Sequence, residues 1–535
     1  MPAPSPTLRP YQREAIEALL TARRSGVRRM VVCLPTGAGK TVIFSHLAQL
    51  AQRQVLVLAH REELLAQARE KLQHALQGSA VVALERGSER GASDAKVLVC
   101  SIRSLHEQRL AEVIRGRNVG LVIYDECHHA AAEDNLRVLR QIGVFDADWS
   151  GTLLGFTATT ARGDGKGLDA VFERIVYTRT LPDLIEQGYL SKLRGYRIST
   201  SADLTRLSTG SGGDFREDEL SCAVDIEERN ALVARSIQEL ARDRRTIAFC
   251  VTVNHATNLC RSLNVVGVPA GIVHGAMPSE RRAQALADFR AGITQVLCNV
   301  AVLTEGFDDP GVSCVAMARP TRSEGLYAQC VGRGTRLHPG KQDCLILDFV
   351  DLSELSLCSL PSLFGVPREL DLQGQDVSEA RRIWQQIEFD RPGFELEAGA
   401  LTLPEIQERA ASFNPLTLEA NQEVRAISAN AWFSLGRHGL GLHFERRPGA
   451  ISEVVILQRA PRGKRWEVCL DRKPKDRFSS IEAAVEAVDY EISRMGPRAA
   501  ASAREEASWR RASGAAATAP ADALRLAVFR RVFGK

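Results

Sequence analysis

From Val27 onward, short apolar runs alternate with amphipathic stretches. Residues 27–34, 55–59, 97–101, 121–125 and 154–157 are rich in Val, Ile and Leu, and helical patterns separate them. Runs that are apolar on both faces predict the strands of a parallel sheet covered by helices. The alternation restarts at 246–251 and continues at 271–274, 295–299, 312–316 and 344–348, which predicts a second α/β unit of similar size. Between the two, 199–214 is rich in Ser, Thr and Gly and reads as a loop or hinge.

After Asp348 the alternation stops. Residues 353–430 read as mainly helical, with a Pro/Gly-rich entry near 361–374. The pattern changes again at Trp432, where 432–444, 451–458 and 465–470 predict three strands. A helix follows from Ser480, with Ser479 or Ser480 as its cap, giving a small β-β-β-α module. The expected division is therefore 1–198 and 216–352 as two α/β domains joined by 199–215, then a helical region over 353–430, the module over 431–496, and a disordered basic tail over 497–535. Within that tail, 524–533 has the pattern of a short basic amphipathic helix. At about 150 residues per domain, a chain of 535 residues is expected to hold several such units.

Composition adds little to this picture until it is localised. A hydrophobic content of 44% with 25% charged residues is ordinary for a globular chain, and no stretch has the length and apolarity of a membrane span. The opening Met1-Pro-Ala-Pro-Ser-Pro has no leader pattern, so a bacterial-type cytoplasmic location and no membrane contact are the expectations. The net charge of +4 is close to neutral, but positive charge gathers late in the chain, at 459–477 and 497–535. The twelve cysteines form no CxxC pair and sit mostly inside apolar runs, as at Cys33, Cys100, Cys250 and Cys298, so they read as small buried hydrophobes.

The chemistry is concentrated at Leu34-Pro-Thr-Gly-Ala-Gly-Lys-Thr41, between a strand and a helix. There Thr36, Gly37, Ala38 and Gly39 offer backbone N–H groups to phosphates, Lys40 offers charge, and the Thr41 hydroxyl offers a ligand to Mg²⁺. Leu34 stands where the strict phosphate-loop pattern has Gly, and a structural Gly-rich turn is the competing reading. Leu121-Val-Ile-Tyr-Asp-Glu-Cys-His-His129 ends a strand in two carboxylates. Taken with the loop, Asp125 suits Mg²⁺, and Glu126 suits the activation of water for hydrolysis. Alone, such a pair is commonly a solvated turn. His128 and His129 lack Cys or His partners at zinc-ligand spacing.

With these segments and those that follow, the sequence resembles superfamily-two helicases of the DEAD/DEAH-like kind, in a DECH form. The resemblance implies two tandem RecA-like domains, with ATP and Mg²⁺ bound between them. Leu8-Arg-Pro-Tyr-Gln12 resembles the adenine-side motif, which makes Arg9 and Gln12 base-side residues. Val57-Leu-Ala-His-Arg-Glu-Glu-Leu-Leu-Ala-Gln67 and Val99-Cys-Ser-Ile-Arg-Ser-Leu105 resemble motifs that touch the nucleic-acid backbone, implicating His60, Arg61 and Ser101. Gly155-Phe-Thr-Ala-Thr159 resembles the segment that couples hydrolysis to strand movement through Thr157 and Thr159, with His128 assigned to the same coupling. Asn299-Val-Ala-Val-Leu-Thr-Glu-Gly-Phe-Asp308 resembles the motif that meets both ATP and strand, with Thr304 and Glu305 on the strand side and Gly306 and Asp308 on the nucleotide side. Gln329-Cys-Val-Gly-Arg-Gly-Thr-Arg336 resembles the segment that supplies the arginine finger, which implies that Gln329, Arg333 and Arg336 serve hydrolysis.

Asp-Glu-Cys-His departs from the Asp-Glu-Ala-Asp of many RNA helicases. Tyr124-Asp-Glu-Cys-His-His-Ala-Ala, Phe156-Thr-Ala-Thr-Thr-Ala-Arg-Gly-Asp-Gly165 and Leu360-Pro-Ser-Leu-Phe-Gly365 resemble bacterial RadD-type and mitochondrial branched-DNA helicases. The RadD type carries a Cys-rich segment after the second motor domain, whereas here only Cys358 lies in that region. DNA that is single-stranded, duplex or branched is thus the expected partner, ahead of RNA, and a protein partner is left open. Basic connections at 437–438, 446–447, 459–464 and 472–477 make the module after Trp432 a candidate duplex contact, against the alternative of a structural cap with a solvated basic rim. Trp432 and Trp466 read as core residues ahead of base-stacking platforms.

Overall fold

The computed structural model describes residues 8–59, 62–76, 81–86, 89–92, 94–158, 167–210, 213–304, 307–353, 357–391, 394, 396, 401–412, 422–434, 439–447, 450–458, 466–471 and 473–504. It divides into two compact units, one essentially 1–368 and the other essentially 379–535.

The first unit holds two parallel sheets. Helix α1 (Pro10–Arg24) precedes β1 (Arg29–Cys33), and α2 (Lys40–Leu50) follows it. The sheet continues with β2 (Gln54–Ala59), β3 (Val82–Glu85), β4 (Val97–Ser101), β5 (Val119–Asp125), β6 (Thr152–Thr157) and β7 (Arg174–Thr178). Its order is β3-β4-β2-β5-β6-β1-β7, with every pair parallel. The inner strands are buried on both faces, the environment that their continuous Val/Ile/Leu runs demand. Strands β5, β6 and β1 are neighbours, so the segments leaving their C-terminal ends converge, although they are far apart in sequence.

The second sheet comprises β8 (Lys192–Asp203), β9 (Thr246–Phe249), β10 (Ala270–His274), β11 (Val296–Val300), β12 (Cys314–Met317) and β13 (Asp343–Leu352), in the order β10-β11-β9-β12-β13-β8. This corrects the expected boundary: β8 runs through Ser199 and pairs with β13 as far as Asp203. Residues assigned to the end of the first domain and to the hinge thus build the second sheet. Because β8 is an edge strand with one neighbour, half its positions face out and carry polar residues, which is why 199–203 read as a loop. Phe215, at the far end of the expected hinge, is buried with Leu204, Leu220, Val224 and Val251.

A buried ion pair ties this sheet to a covering helix. Arg229, on the helix Glu227–Leu240, donates to both oxygens of Asp351 at 2.7 and 2.9 Å and to the Ala318 carbonyl at 2.9 Å. Both side chains are almost wholly enclosed.

The second unit contains the helices Val377–Asp390, Leu403–Ser412 and Gln422–Ile427 and a short parallel pair, β14 (Leu370–Asp371) with β15 (Leu401–Thr402). It also contains an antiparallel sheet of β16 (Phe433–Ser434), β17 (Gly439–Arg447), β18 (Ala450–Gln458), β19 (Trp466–Leu470) and β20 (Lys473–Phe478), in that spatial order. Five strands replace the three expected. The stretch taken as one strand from 432 contains β16 and the separate β17, and β20 was read as a basic connection because Lys-Pro-Lys-Asp-Arg-Phe has no apolar alternation. The helix Ile481–Arg494 is capped by Ser480, whose Oγ accepts from the Ala483 N–H at 3.2 Å. The expected tail is also corrected at its start: Pro497–Ala503 is a helix whose Ala499 and Ala503 join the small core with Trp432, Phe444 and Ile456. Trp466 packs against the same cluster. Residues 505–535, including 524–533, and the connections at 437–438 and 459–464 lie outside the described residues.

Removing one partner of the Arg229–Asp351 pair leaves the other charge buried. Arg229→Ala should therefore cost about 3–5 kcal/mol in denaturant unfolding. Arg140→Ala, which breaks an exposed pair with Glu133, should stay within about 0.5 kcal/mol of the parent. Equal effects would contradict the role given to burial.

Candidate active site

The site forms where β1, β5 and β6 end. After β1 the chain turns through Gly37 and Gly39, both in the left-handed region at φ 85° and 75°, and enters α2 at Lys40. The left-handed φ of Gly39 is one that residues with a side chain rarely adopt, and a Cβ there would also stand 2.7 Å from the Gln12 amide nitrogen. The first turn of α2 leaves its N–H groups directed at the loop, where an anion is stabilised by both hydrogen bonding and the helix dipole.

Lys40 Nζ donates to Glu126 Oε1 at 2.9 Å. Glu126 follows β5 and is itself left-handed, at φ 51°, an uncommon conformation for a residue with a Cβ. The Asp125 carboxylate accepts from the Glu126 N–H at 3.1 Å. Burial opposes ionisation of Glu126 most strongly, but Lys40 and then His128 outweigh it and hold the carboxyl well below its usual range. Lys40 shows the complement: burial disfavours its ammonium, yet Glu126 and Asp125 raise its pKa above the ordinary value. His128 Nδ1 lies 3.4 Å from Glu126 Oε2 and 3.2 Å from the Thr157 hydroxyl at the end of β6. A continuous polar path thus runs from Lys40 to Thr157, and these predicted residues are brought together.

On the other side of the loop, Arg9 precedes α1 and its backbone N–H donates to Gln12 Oε1 at 3.0 Å. The Gln12 amide donates to the Ala38 carbonyl at 3.2 Å, and the Tyr11 hydroxyl donates to the same carbonyl at 2.7 Å. The sequence pattern assigns Tyr11 no role. Its complete burial beside the loop is the signal that sequence alone does not carry.

The second sheet faces this loop with the segment leaving the helix Glu324–Val331. Gln329 is buried on that helix. A Cβ on Gly37 would lie 3.0 Å from Thr335 Oγ1 and 3.5 Å from Arg336 Cγ, and one on Gly332 would lie 2.6 Å from Thr36 Cβ. Arg333 donates to the Thr304 and Phe307 carbonyls at 3.0 and 2.8 Å. Arg336 donates to the Phe307 carbonyl at 3.0 Å and pairs with Asp308 at 3.1 Å. Both arginines therefore engage the segment after β11, and Arg336 also borders the phosphate loop. In that segment Asn299 accepts from the N–H groups of Val302 and Leu303 at 3.1 and 2.9 Å, and Thr304 donates to the Ala301 carbonyl at 2.8 Å.

Ser101 is buried at the end of β4. His60, Arg61, Thr159, Glu305 and Gly306 lie outside the described residues. Thr41, in the first turn of α2, and Asp125, at the end of β5, offer one hydroxyl and one carboxylate. That sparse set suits Mg²⁺, which ordinarily completes its shell with phosphate oxygens and water.

The helix Glu324–Val331 is fixed by Tyr327, whose hydroxyl bonds the Asp348 carboxylate at 2.7 and 2.9 Å. Asp348 also accepts from the Leu360 N–H at 2.8 Å. Burial pushes the Asp348 carboxyl up to about 6, against the opposing pull of these two donors.

Residues 5–162 match the family described as the res subunit of type III restriction enzymes, and 228–338 match the helicase conserved C-terminal domain. A putative mitochondrial ATP-dependent helicase, irc3 of Schizosaccharomyces pombe, is 32% identical over 524 residues, spanning 94% of this chain and 84% of the relative. The putative ATP-dependent helicase IRC3 of Saccharomyces cerevisiae is 31% identical over 388 residues, spanning 70% of this chain and 56% of the relative. Among solved structures, a fragment of a putative HsdR subunit of a type I restriction enzyme from Vibrio vulnificus superposes with a TM-score of 0.50. It is 22% identical and covers 64% of this chain and 65% of that one, a likeness of fold.

Asp348 holds its proton more tightly in the folded chain than at its ordinary value of 3.8. Its contribution to stability is therefore full below that value and is lost as the pH rises towards about 6. Asp348→Asn should remove this downward slope from unfolding midpoints measured between about pH 4 and pH 6. An unchanged slope would contradict the raised carboxyl.

Proposed function

This chain belongs to the superfamily-two helicases, in the family of the Irc3-named proteins, and from that premise we propose that it is an ATP-hydrolysing motor on DNA, acting at forked or otherwise branched structures. The observation that carries the reading is the meeting of two half-sites: the phosphate loop, with Lys40 and Glu126 on one side, and Thr335 and Arg336 from the second sheet on the other. A hydrolase that must convert bond cleavage into relative movement needs its catalytic groups divided in this way.

The roles follow from the chemistry. Lys40 and the N–H groups of α2 bind the triphosphate. The incoming phosphates replace Glu126 as the partner of Lys40, which releases that carboxylate to polarise water. Mg²⁺, held by Thr41 and Asp125, neutralises phosphate charge when bound. Arg336 borders Gly37 and Arg333 acts on the charge of Lys40, so both carry permanent planar charge suited to the transition state, and Arg333 also braces its segment through Thr304 and Phe307. The path Glu126–His128–Thr157 ties the hydrolytic carboxylate to the end of β6, the segment assigned to strand coupling.

DNA is favoured as the track by the match of 5–162 to a restriction-enzyme family and by the departure from the Asp-Glu-Ala-Asp form. The chain spans just over half of one of the two Irc3 relatives, and its branched-DNA preference is part of this proposal. Translocation along duplex DNA without strand separation, or action on RNA, are the alternatives.

Steady-state ATPase measured without polynucleotide and with single-stranded, duplex and forked DNA and RNA tests the track. Forked or duplex DNA should stimulate most, and stimulation by RNA alone would overturn the choice. In the same assay Glu126→Gln should keep nucleotide affinity within about threefold while turnover falls at least about 100-fold, and Lys40→Ala should lose nucleotide binding or turnover. Near-normal turnover in Glu126→Gln would contradict its assignment to water.

A further inference from the structure

Residues 189–191 join the end of the first sheet domain to β8 and touch the adenine-side motif, the phosphate loop and the arginine segment. On the adenine side, Arg9 Nη1 donates to the Tyr189 carbonyl at 3.0 Å. The Arg9 guanidinium also lies over the Tyr189 ring at 5.6 Å. Tyr189 meets Tyr11 edge-on, with centroids 5.0 Å apart and planes at 60°, and the Tyr11 hydroxyl bonds the Ala38 carbonyl of the phosphate loop. Leu190 is buried with its Cδ2 3.2 Å from where a Gly37 Cβ would stand. Ser191 is buried and holds the arginine segment twice: its N–H donates to the Thr335 carbonyl at 2.7 Å and its Oγ donates to the Arg336 carbonyl at 2.9 Å.

Three consecutive residues thus contact, in order, the adenine-side motif, the phosphate loop and the backbone that carries Arg336. A passive connection between domains needs none of these contacts. Aromatic packing on Tyr189 restrains the near end of the strap, and two backbone-directed hydrogen bonds restrain the far end, so movement of Arg9 and Tyr11 on base binding is transmitted to Thr335 and Arg336. We propose that residues 189–191 are a base-sensing strap, with Tyr189 and Ser191 as positioning residues that make placement of Arg336 depend on the base bound beside Arg9 and Gln12. The inference rests on the ATP-motor reading above and adds a source of nucleotide specificity expressed in turnover as well as in affinity.

The test uses the full chain with its most stimulating polynucleotide. Turnover at saturation is measured with ATP and with uridine triphosphate, beside equilibrium binding of a fluorescent non-hydrolysable ATP analogue. The parent should turn over ATP faster than uridine triphosphate at saturation. In Ser191→Ala and in Tyr189→Leu, ATP turnover should fall about three- to tenfold while analogue affinity stays within about twofold, because only the placement of Arg336 is lost. Uridine triphosphate turnover should change little, so the ratio between the nucleotides shrinks, and Tyr189→Phe, which keeps the ring, should preserve the ratio. Equal fractional losses with both nucleotides, or a parent with no preference at saturation, would overturn the strap while leaving the motor reading intact. A parent that hydrolyses no nucleotide under any condition would defeat the motor reading itself and the strap with it.

Discussion

The Lys40–Glu126 pair is the constraint on which the site depends. Glu126 is buried and Lys40 keeps only 12% of its side chain exposed, and a lone charge of either sign there carries a desolvation cost of several kcal/mol that only a partner offsets. Each neutralises the other at 2.9 Å. In the proposed motor a triphosphate would bring negative charge to Lys40 and leave Glu126 beside His128, whose Nδ1 lies 3.4 Å from the carboxylate. The left-handed backbone at Glu126 suits this double duty, because it turns the carboxylate out of the strand direction and towards the loop.

Sheet order makes the pair possible. Lys40 follows β1 and Glu126 follows β5, and β6 lies between those two strands and carries Thr157 at its end. A charge exchange at Lys40 is therefore one imidazole away from the strand that leads into the coupling segment. Movement also requires the second sheet to sense the event, and small residues permit this. Gly37 and Gly332 let the two backbones approach so closely that any side chain there would meet Thr335 or Thr36.

How much of this was legible in the sequence follows a physical rule. The inner strands of both parallel sheets announced themselves, because burial on two faces demands unbroken apolar runs. The strands missed from the three larger sheets, β3, β7, β8 and β20, all lie at sheet edges; β7, β8 and β20 carry exposed polar positions there, whereas β3 is a mostly buried run of only four residues. The misplaced domain boundary is a consequence of missing β8. The helix Pro497–Ala503 was hidden for a different reason: Ala-rich composition resembles a tail until a sheet is present for Ala499 and Ala503 to pack on. The placing of Lys40, Asp125, Glu126, His128, Thr157 and Arg336 around one loop follows from motifs in which residue type and spacing are fixed together. Tyr189 and Ser191 were not legible, since an aromatic ring and a hydroxyl in a connecting segment have no pattern of their own. Their contacts exist only after the two sheets are placed.

That asymmetry bears on how such a site can vary. Groups that touch phosphate are held by chemistry that admits few substitutes, whereas groups that transmit position need only supply a ring face or a hydrogen bond at the right distance. Ser191 acts through backbone carbonyls of Thr335 and Arg336, so its effect is independent of the side chains those residues carry. Arg333 likewise works through carbonyls, of Thr304 and Phe307, and so braces a segment whatever its sequence. The segment that faces the phosphate loop is therefore held largely through its main chain. Such contacts can survive change in the residues being positioned, and they set the geometry within which Lys40, Glu126 and Arg336 meet.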